Sequence, residues 1–142
     1  MIMDWIRKIV YIFILVVIAI FVFDSFAFGM HTASKQDYKF NQYLYLTITD
    51  NTKTEIEYKI VNRMKVPMEY NNTYEIQMYK NKEWKQFDDE IKFNLESKII
   101  DSKEVKGEKI KLDKTYGKLK KGRYRLIKNV GGYNIAAEFV VK

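Results

Sequence analysis

The sequence predicts an all-β sandwich of about seven strands with Greek-key connections, preceded by one N-terminal transmembrane helix. Three observations predict it. From residue 39 onward, apolar and polar residues alternate in short runs separated by turn residues. Leu119, Gly122 and Tyr124 stand at the spacing of the corner that leads into a late strand of such sandwiches. Ile9 to Phe23 is an unbroken apolar run, and no helix of a soluble protein needs apolar residues on every face. The expected divisions are 1–28, an anchor or signal segment; 29–38, a short polar linker; and 39–142, the domain.

Two readings of the N-terminus stay open. Fifteen residues at about 1.5 Å each reach about 22 Å, short of a ~30 Å hydrocarbon core. Counting from residue 5 to residue 23 closes the gap, because Arg7 and Lys8 snorkel and Trp5 suits the interface. The alternative is a cleaved signal peptide, for which Ser25-Phe26-Ala27 and Ala27-Phe28-Gly29 are poor cleavage sites. The anchor is therefore preferred. Both readings leave the basic flank in the cytoplasm and everything after Asp24 outside. The expected localisation is a single-pass cell-membrane protein with its domain outside, or else a secreted one.

The domain reads in order as follows. Gln42 to Thr49 places Leu44, Leu46 and Ile48 on one face and Tyr43 and Tyr45 on the other. Asp50 to Lys53 turns the chain. Thr54 to Asn62 sends Ile56, Tyr58 and Ile60 inward and Glu55, Glu57 and Lys59 outward, the pattern of a sheet with one wet side. Arg63 to Asn72, around Pro67, reads as a long connection. Thr73 to Lys80 is a strand with Tyr74, Ile76 and Met78 inward, and Lys80-Asn81-Lys82-Glu83 turns it into Trp84 to Phe87. Between Asp88 and Gly107 a short strand over Ile91, Phe93 and Leu95 is expected, with Ile99 and Ile100 tucked under a polar loop. Glu108 to Asp113 alternates again with Ile110 and Leu112 inward. In the closing hairpin Tyr124 and Leu126 face in, Arg123 and Arg125 face out, and Gly131-Gly132 makes the turn. Tyr133, Ile135, Ala137, Phe139 and Val141 form the last inward stripe.

Composition removes several classes of chemistry. The chain of 142 residues has no cysteine, which excludes disulfides, thiolate metal sites, a Cys nucleophile and a lipid-modified Cys. The lone histidine, His31, lies in the linker without partners for catalysis or metal binding. Asp88-Asp89-Glu90 lacks the alternating carboxylates and the turn glycine of a calcium loop. Glu55 and Glu57 share a strand face but have no pocket that would make them a hydrolytic pair. No phosphate-binding loop, Ser-centred elbow or metalloprotease helix appears. The net charge of +7 favours anionic partners, although most of the lysine is spread along solvated strand faces.

The run Tyr116-Gly117-x-Leu119-x-x-Gly122-x-Tyr124-Arg125-Leu126-Ile127-Lys128, followed by Ala137-Glu138-Phe139, resembles the end of a bacterial immunoglobulin-like domain found in exported proteins of Gram-positive bacteria. Val61-Asn62, Tyr70, Tyr74, Tyr79, Asn81 and Trp84 match the middle of that family. Lys82 stands where the family usually has Gly, and Lys121 where it often has Pro. The resemblance covers roughly residues 44–141. It implies an immunoglobulin-like Greek-key β-sandwich and carries no catalytic residue and no cofactor.

The expected function is thus non-enzymatic: a structural or interaction domain tethered at the bacterial cell surface, or a secreted binding domain if the N-terminus is cleaved. Lys118, Lys120, Lys121, Arg123 and Arg125 form the densest basic cluster and are the candidate contact for an anionic cell-wall polymer. Lysines that block edge-to-edge strand pairing would give the same pattern. Tyr43 and Tyr45 are a candidate aromatic platform for another surface protein or a sugar. Leu119, Gly122 and Tyr124 are the structural corner. The membrane is expected as a partner through residues 5–23, nucleic acid is not, and no metal or cofactor is expected.

Overall fold

The computed structural model describes residues 6, 8, 9, 11, 12, 14, 30–32, 38, 41–87 and 90–142. The chain divides into Met1–Met30 and His31–Lys142. In the first unit Ile6, Lys8, Ile9, Tyr11, Ile12 and Ile14 are helical. Among the described residues no helix is long and apolar enough to cross a membrane. The expected span, residues 5–23, lies mostly outside the described residues.

Ten strands form among the described residues: β1 (Met30–Thr32), β2 (Leu44–Asn51), β3 (Glu55–Asn62), β4 (Met68–Asn71), β5 (Glu75–Lys80), β6 (Glu83–Phe87), β7 (Ser97–Ile100), β8 (Val105–Lys111), β9 (Gly122–Val130) and β10 (Tyr133–Val141). They make a seven-stranded sheet, β1-β6-β5-β9-β4-β7 with β10 also paired to β9, and a three-stranded sheet, β2-β3-β8. The expected sandwich is present. The strand number exceeds seven because β1, β4 and β7 are only three or four residues long, too short for alternation to reveal.

Strand β9 organises the larger sheet. β10 pairs along its whole length, from Tyr133 opposite Val130 to Val141 opposite Gly122. Its other edge is shared end to end: β5 lies against Arg123 to Ile127, and β4 meets it only where Tyr70 faces Val130. Beyond that divided edge, β5 pairs with β6 and β4 with β7.

The core lies between the two sheets, where the period-two alternation sends it. β2 and β3 supply Leu44, Leu46, Ile56, Tyr58 and Ile60. β9 and β10 supply Tyr124, Leu126, Val130, Ile135, Phe139 and Val141. Each such side chain taken from water stabilises by about 1.5–3 kcal/mol. Tyr124 and Phe139 stack with ring centres 5.6 Å apart. Tyr133, expected inward, is half exposed instead, because it is the first residue after the hairpin tip, where no opposite sheet covers it.

Both tight turns have the left-handed backbone that a two-residue hairpin requires. Asn81 and Lys82 have φ of 53° and 63°, so Lys82 adopts the glycine-like conformation without being glycine. Gly131 and Gly132 have φ of 58° and 83°.

Two expectations about the middle of the domain are corrected. Arg63 to Asn72 is not one long connection, since its second half is β4. Asn62, fully buried at the end of β3, fixes the first half. Its side-chain amide donates to the carbonyls of Val66 and Asp101, each at 3.0 Å, and its oxygen accepts from the Met64 N–H. Ile91, Phe93 and Leu95 form no strand, and Leu95 is exposed. The strand there is β7, with Ile100 fully buried and Ile99 facing solvent. Pairing with β4 places it, not its own pattern.

The corner has the expected geometry. Leu119 is buried, and the Tyr124 hydroxyl donates to the Lys120 carbonyl at 2.6 Å across the bend. A Cβ on Gly122 would come within 2.9 Å of Met78 Cε, while the Tyr124 ring at 3.5 Å would be in ordinary contact, so the missing side chain leaves room for the Met78 methyl.

Tyr124→Phe removes the hydrogen bond to the Lys120 carbonyl and is expected to lower unfolding free energy by about 1 kcal/mol or more in urea titrations. Gly131→Ala puts a methyl against the Met68 sulfur at a left-handed φ. It is expected to cost at least as much, about 1–2 kcal/mol from the backbone alone plus the collision.

Candidate interaction surface

On the larger sheet the alternation that buries Tyr124 and Leu126 turns Arg123 and Arg125 to the outer face. Cross-strand register sets them beside Tyr79 of β5 and Trp84 of β6, which are directly paired. The Arg123 guanidinium carbon lies 4.8 Å from the Tyr79 ring centre and 5.6 Å from that of Trp84. That of Arg125 lies 4.4 Å from Trp84 and 4.6 Å from Tyr38. Each guanidinium also has a polar partner. Arg123 donates twice to one Glu138 carboxylate oxygen, at 2.9 and 2.6 Å, and Arg125 donates to the Gln77 side-chain oxygen at 2.6 Å. Cation–π contacts of this kind contribute about 0.5–2 kcal/mol each. Gln77 is only 3% exposed although it lies on the outer face.

The five-residue basic cluster is therefore divided. Arg123 and Arg125 belong to this aromatic ladder on the strand. Lys118, Lys120 and Lys121 are exposed in the bend before it. Tyr43 and Tyr45 do not form a matched pair on one strand: Tyr43 precedes β2 and is exposed, whereas Tyr45 is half-buried under the Arg63 guanidinium, 5.6 Å from its ring centre. Leu119, Gly122 and Tyr124 meet at the corner as described. His31 falls in β1. Asp88 and Asp89 lie outside the described residues. Glu55 and Glu57 both pair across the strands with Lys109, at 3.2 and 3.0 Å. Among the described residues no group of His, Cys, Asp and Glu is placed to hold a metal ion.

Two features were not assigned a role from the sequence. Tyr79 and Trp84 were legible as strand residues and as part of the family resemblance, but their meeting with the arginines depends on register. Lys128 is the second. It has the inward parity of Tyr124, Leu126 and Val130, and that parity is the signal that finds it. It is 2% exposed. Its ammonium donates to the carbonyls of Asn71 and Thr73, at 2.9 and 2.7 Å. Nearby, Glu108 accepts from the Tyr70 hydroxyl at 2.7 Å and from Lys98 at 3.1 Å. Burial by itself would raise the Glu108 pKa, but the hydrogen bonds from Tyr70 and Lys98 outweigh it and hold the carboxyl below its ordinary range.

Two sheets built of antiparallel pairs and a buried tyrosine corner are features of an immunoglobulin-like sandwich. A sequence model of the bacterial Ig-like domain family matches residues 32–140, and the chain belongs to that family. No curated protein matches. Among solved structures, the Pseudomonas fluorescens alkylpurine DNA glycosylase AlkC, bound to DNA containing an abasic-site analogue, is similar at 16% identity and a TM-score of 0.39. The match covers 71% of this chain and 29% of that one, and a likeness at that score carries no argument.

Lys128 gives the fold a pH dependence of known sign. Burial, the largest cause, lowers its pKa to about 8; Glu108 opposes the shift and Lys98 adds to it. The unfolded chain then binds more protons than the fold between about pH 8 and 10.5, so stability rises with pH across that window. The neutral amine keeps two N–H donors, enough for both carbonyls. Above about pH 10, tyrosines with ordinary pKa in the unfolded chain reverse the trend, because burial raises Tyr58, Tyr70, Tyr74 and Tyr124 in the fold. Urea unfolding is expected to show a gain of about 1–2 kcal/mol from pH 7.5 to 9.5. Lys128→Met should abolish that rise while lowering stability at every pH.

Proposed function

We propose that this chain is a non-enzymatic Ig-like domain tethered to the cytoplasmic membrane and facing outward, where it contacts anionic polymer of the cell wall. Family membership across residues 32–140 carries the reading of an interaction domain. The tether is supported by the apolar run Ile9 to Phe23 behind Arg7 and Lys8. Ile6, Ile9, Tyr11, Ile12 and Ile14 support it further: they are 45–70% exposed, and at about 100° per residue they project on all sides of the helix, as a lipid-facing segment does.

The contact is assigned to Lys118, Lys120 and Lys121. They are exposed on the bend, close together in sequence. Arg123 and Arg125 support the patch from beside it, with their guanidinium groups already stacked. An attraction built on solvated lysines is screened over about 8–10 Å at physiological salt, so binding of this kind weakens as salt is added.

Two measurements test the reading. Membrane fractionation with N-terminal sequencing is expected to find the intact chain in the membrane fraction; a mature start near Phe28 or Met30 instead makes the protein secreted. The triple variant Lys118→Ser, Lys120→Ser, Lys121→Ser is expected to lose several-fold retention on purified cell wall at low salt while unfolding at an unchanged urea midpoint. Retention equal to the parent at both low and high salt would overturn the polymer contact.

A further inference from the structure

Between the two sheets, at the junction of β4 and β5, lies a cavity of about 210 Å³. Tyr58, Tyr70, Tyr74, Lys98, Glu108 and Lys128 line it. It exists because the edge strand along β9 is interrupted there. Residues 71–74 stand opposite only Lys128 and Asn129, and the excess chain bows away from the sheet. At this size it is smaller than the ~300–1,000 Å³ of a site for a drug-sized ligand. It suits one polar group with a small substituent, or the end of a longer molecule.

Its polar inventory does not balance within the protein. Glu108 is satisfied by Tyr70 and Lys98. Lys128 uses two of its three N–H donors on Asn71 and Thr73. Its ammonium stands 5.9 Å from the ring centres of both Tyr58 and Tyr70. Tyr58 is 4% exposed, yet among the described residues its hydroxyl has no hydrogen-bond partner. No buried side-chain oxygen or nitrogen is left unsatisfied, so this hydroxyl reaches the open space of the cavity. A phenylalanine would bury the same ring; the hydroxyl adds nothing to the fold. Lys98 and Lys128 oppose the single carboxylate of Glu108, which leaves one uncompensated positive charge.

We propose that this cavity binds a monoanionic oxyanion, a carboxylate or a phosphodiester, held by the Tyr58 hydroxyl and the third proton of the Lys128 ammonium. Both donors end side chains that are almost wholly buried, and a hydrogen bond to a charged acceptor is stronger than a neutral one. The aromatic faces of Tyr58, Tyr70 and Tyr74 enclose the substituent. Lys111 also lines the cavity and is exposed, which favours approach of a negative charge. This site is separate from the lysine bend and independent of where in the cell the domain resides.

The test is a titration of the ¹⁵N-labelled full-length chain in neutral detergent, at pH 7 and constant ionic strength. Acetate and dimethyl phosphate are the monoanionic probes, and acetamide is the neutral isostere of acetate. Saturable shifts of the Tyr58, Thr73, Lys98 and Lys128 amides are expected with at least one anion and not with acetamide. The anion that saturates at the lower concentration tells a carboxylate from a phosphodiester ligand. Tyr58→Phe removes an atom without a protein partner, so it should leave the urea midpoint unchanged and weaken anion binding about tenfold. Lys128→Met should abolish binding; should that variant not fold, Tyr58→Phe decides alone. No saturable shift with either anion, an equal response to acetamide, or unchanged affinity in Tyr58→Phe would each overturn the proposal.

Discussion

The larger sheet depends on one buried ammonium. Strand β9 carries β10 on one edge and two short strands, β4 and β5, on the other, and those two do not join smoothly. Where they part, the backbone carbonyls of Asn71 and Thr73 face the Lys128 ammonium inside the sandwich. An unpaired buried carbonyl costs about 1–3 kcal/mol, and Lys128 reaches from the facing strand to satisfy both. A shorter polar side chain would not span the gap, and an apolar one would leave it open. Charge is acceptable there because Glu108 lies close enough to oppose the desolvation, and two tyrosine rings flank the ammonium. The interruption in turn lets β4 pair with β7 while β5 pairs with β6, so one edge of β9 serves two branches.

The opposite end of β9 is fixed by the corner. The Tyr124 hydroxyl ties the bend to the strand, Leu119 anchors the bend in the core, and Gly122 makes room for the Met78 methyl beside the Tyr124 ring. Three residues thereby set where β9 begins and, through strict alternation, which of its side chains face in. Tyr124, Leu126, Lys128 and Val130 form one inward row from that origin. Arg123 and Arg125 form the outward row, which register places against Tyr79 and Trp84. The corner and the buried lysine are thus two constraints on one strand, and both faces of the domain follow from its phase.

The two faces have different chemistry. Outside, the arginines are held by stacking and by Glu138 and Gln77, which makes that wall a rigid support more than a free source of charge. The lysines of the bend, by contrast, are exposed to solvent, which screens their charge. Inside, charge is sparse and desolvated, so a single donor counts for more than a surface lysine does.

Period-two alternation made the two-sheet architecture legible before any coordinates, because one face of each long strand must be buried. The corner was legible from three residues, since no other side chains satisfy its geometry so economically, and the Gly131-Gly132 turn from its backbone requirement. β4 and β7 were not legible: four-residue strands carry too little pattern, and partners place them. The same limit hid the arginine ladder, because Tyr79 and Trp84 lie more than thirty-five residues from Arg123 in sequence and meet it only through register. Lys128 lay between these cases. Its parity pointed inward from the sequence alone, whereas its partners, two carbonyls at the break between β4 and β5, meet it only in the folded sheet. Local periodicity and turn chemistry therefore determined the class of fold and its corner. Non-local pairing decided where polar groups are buried, and with it where this domain offers a site.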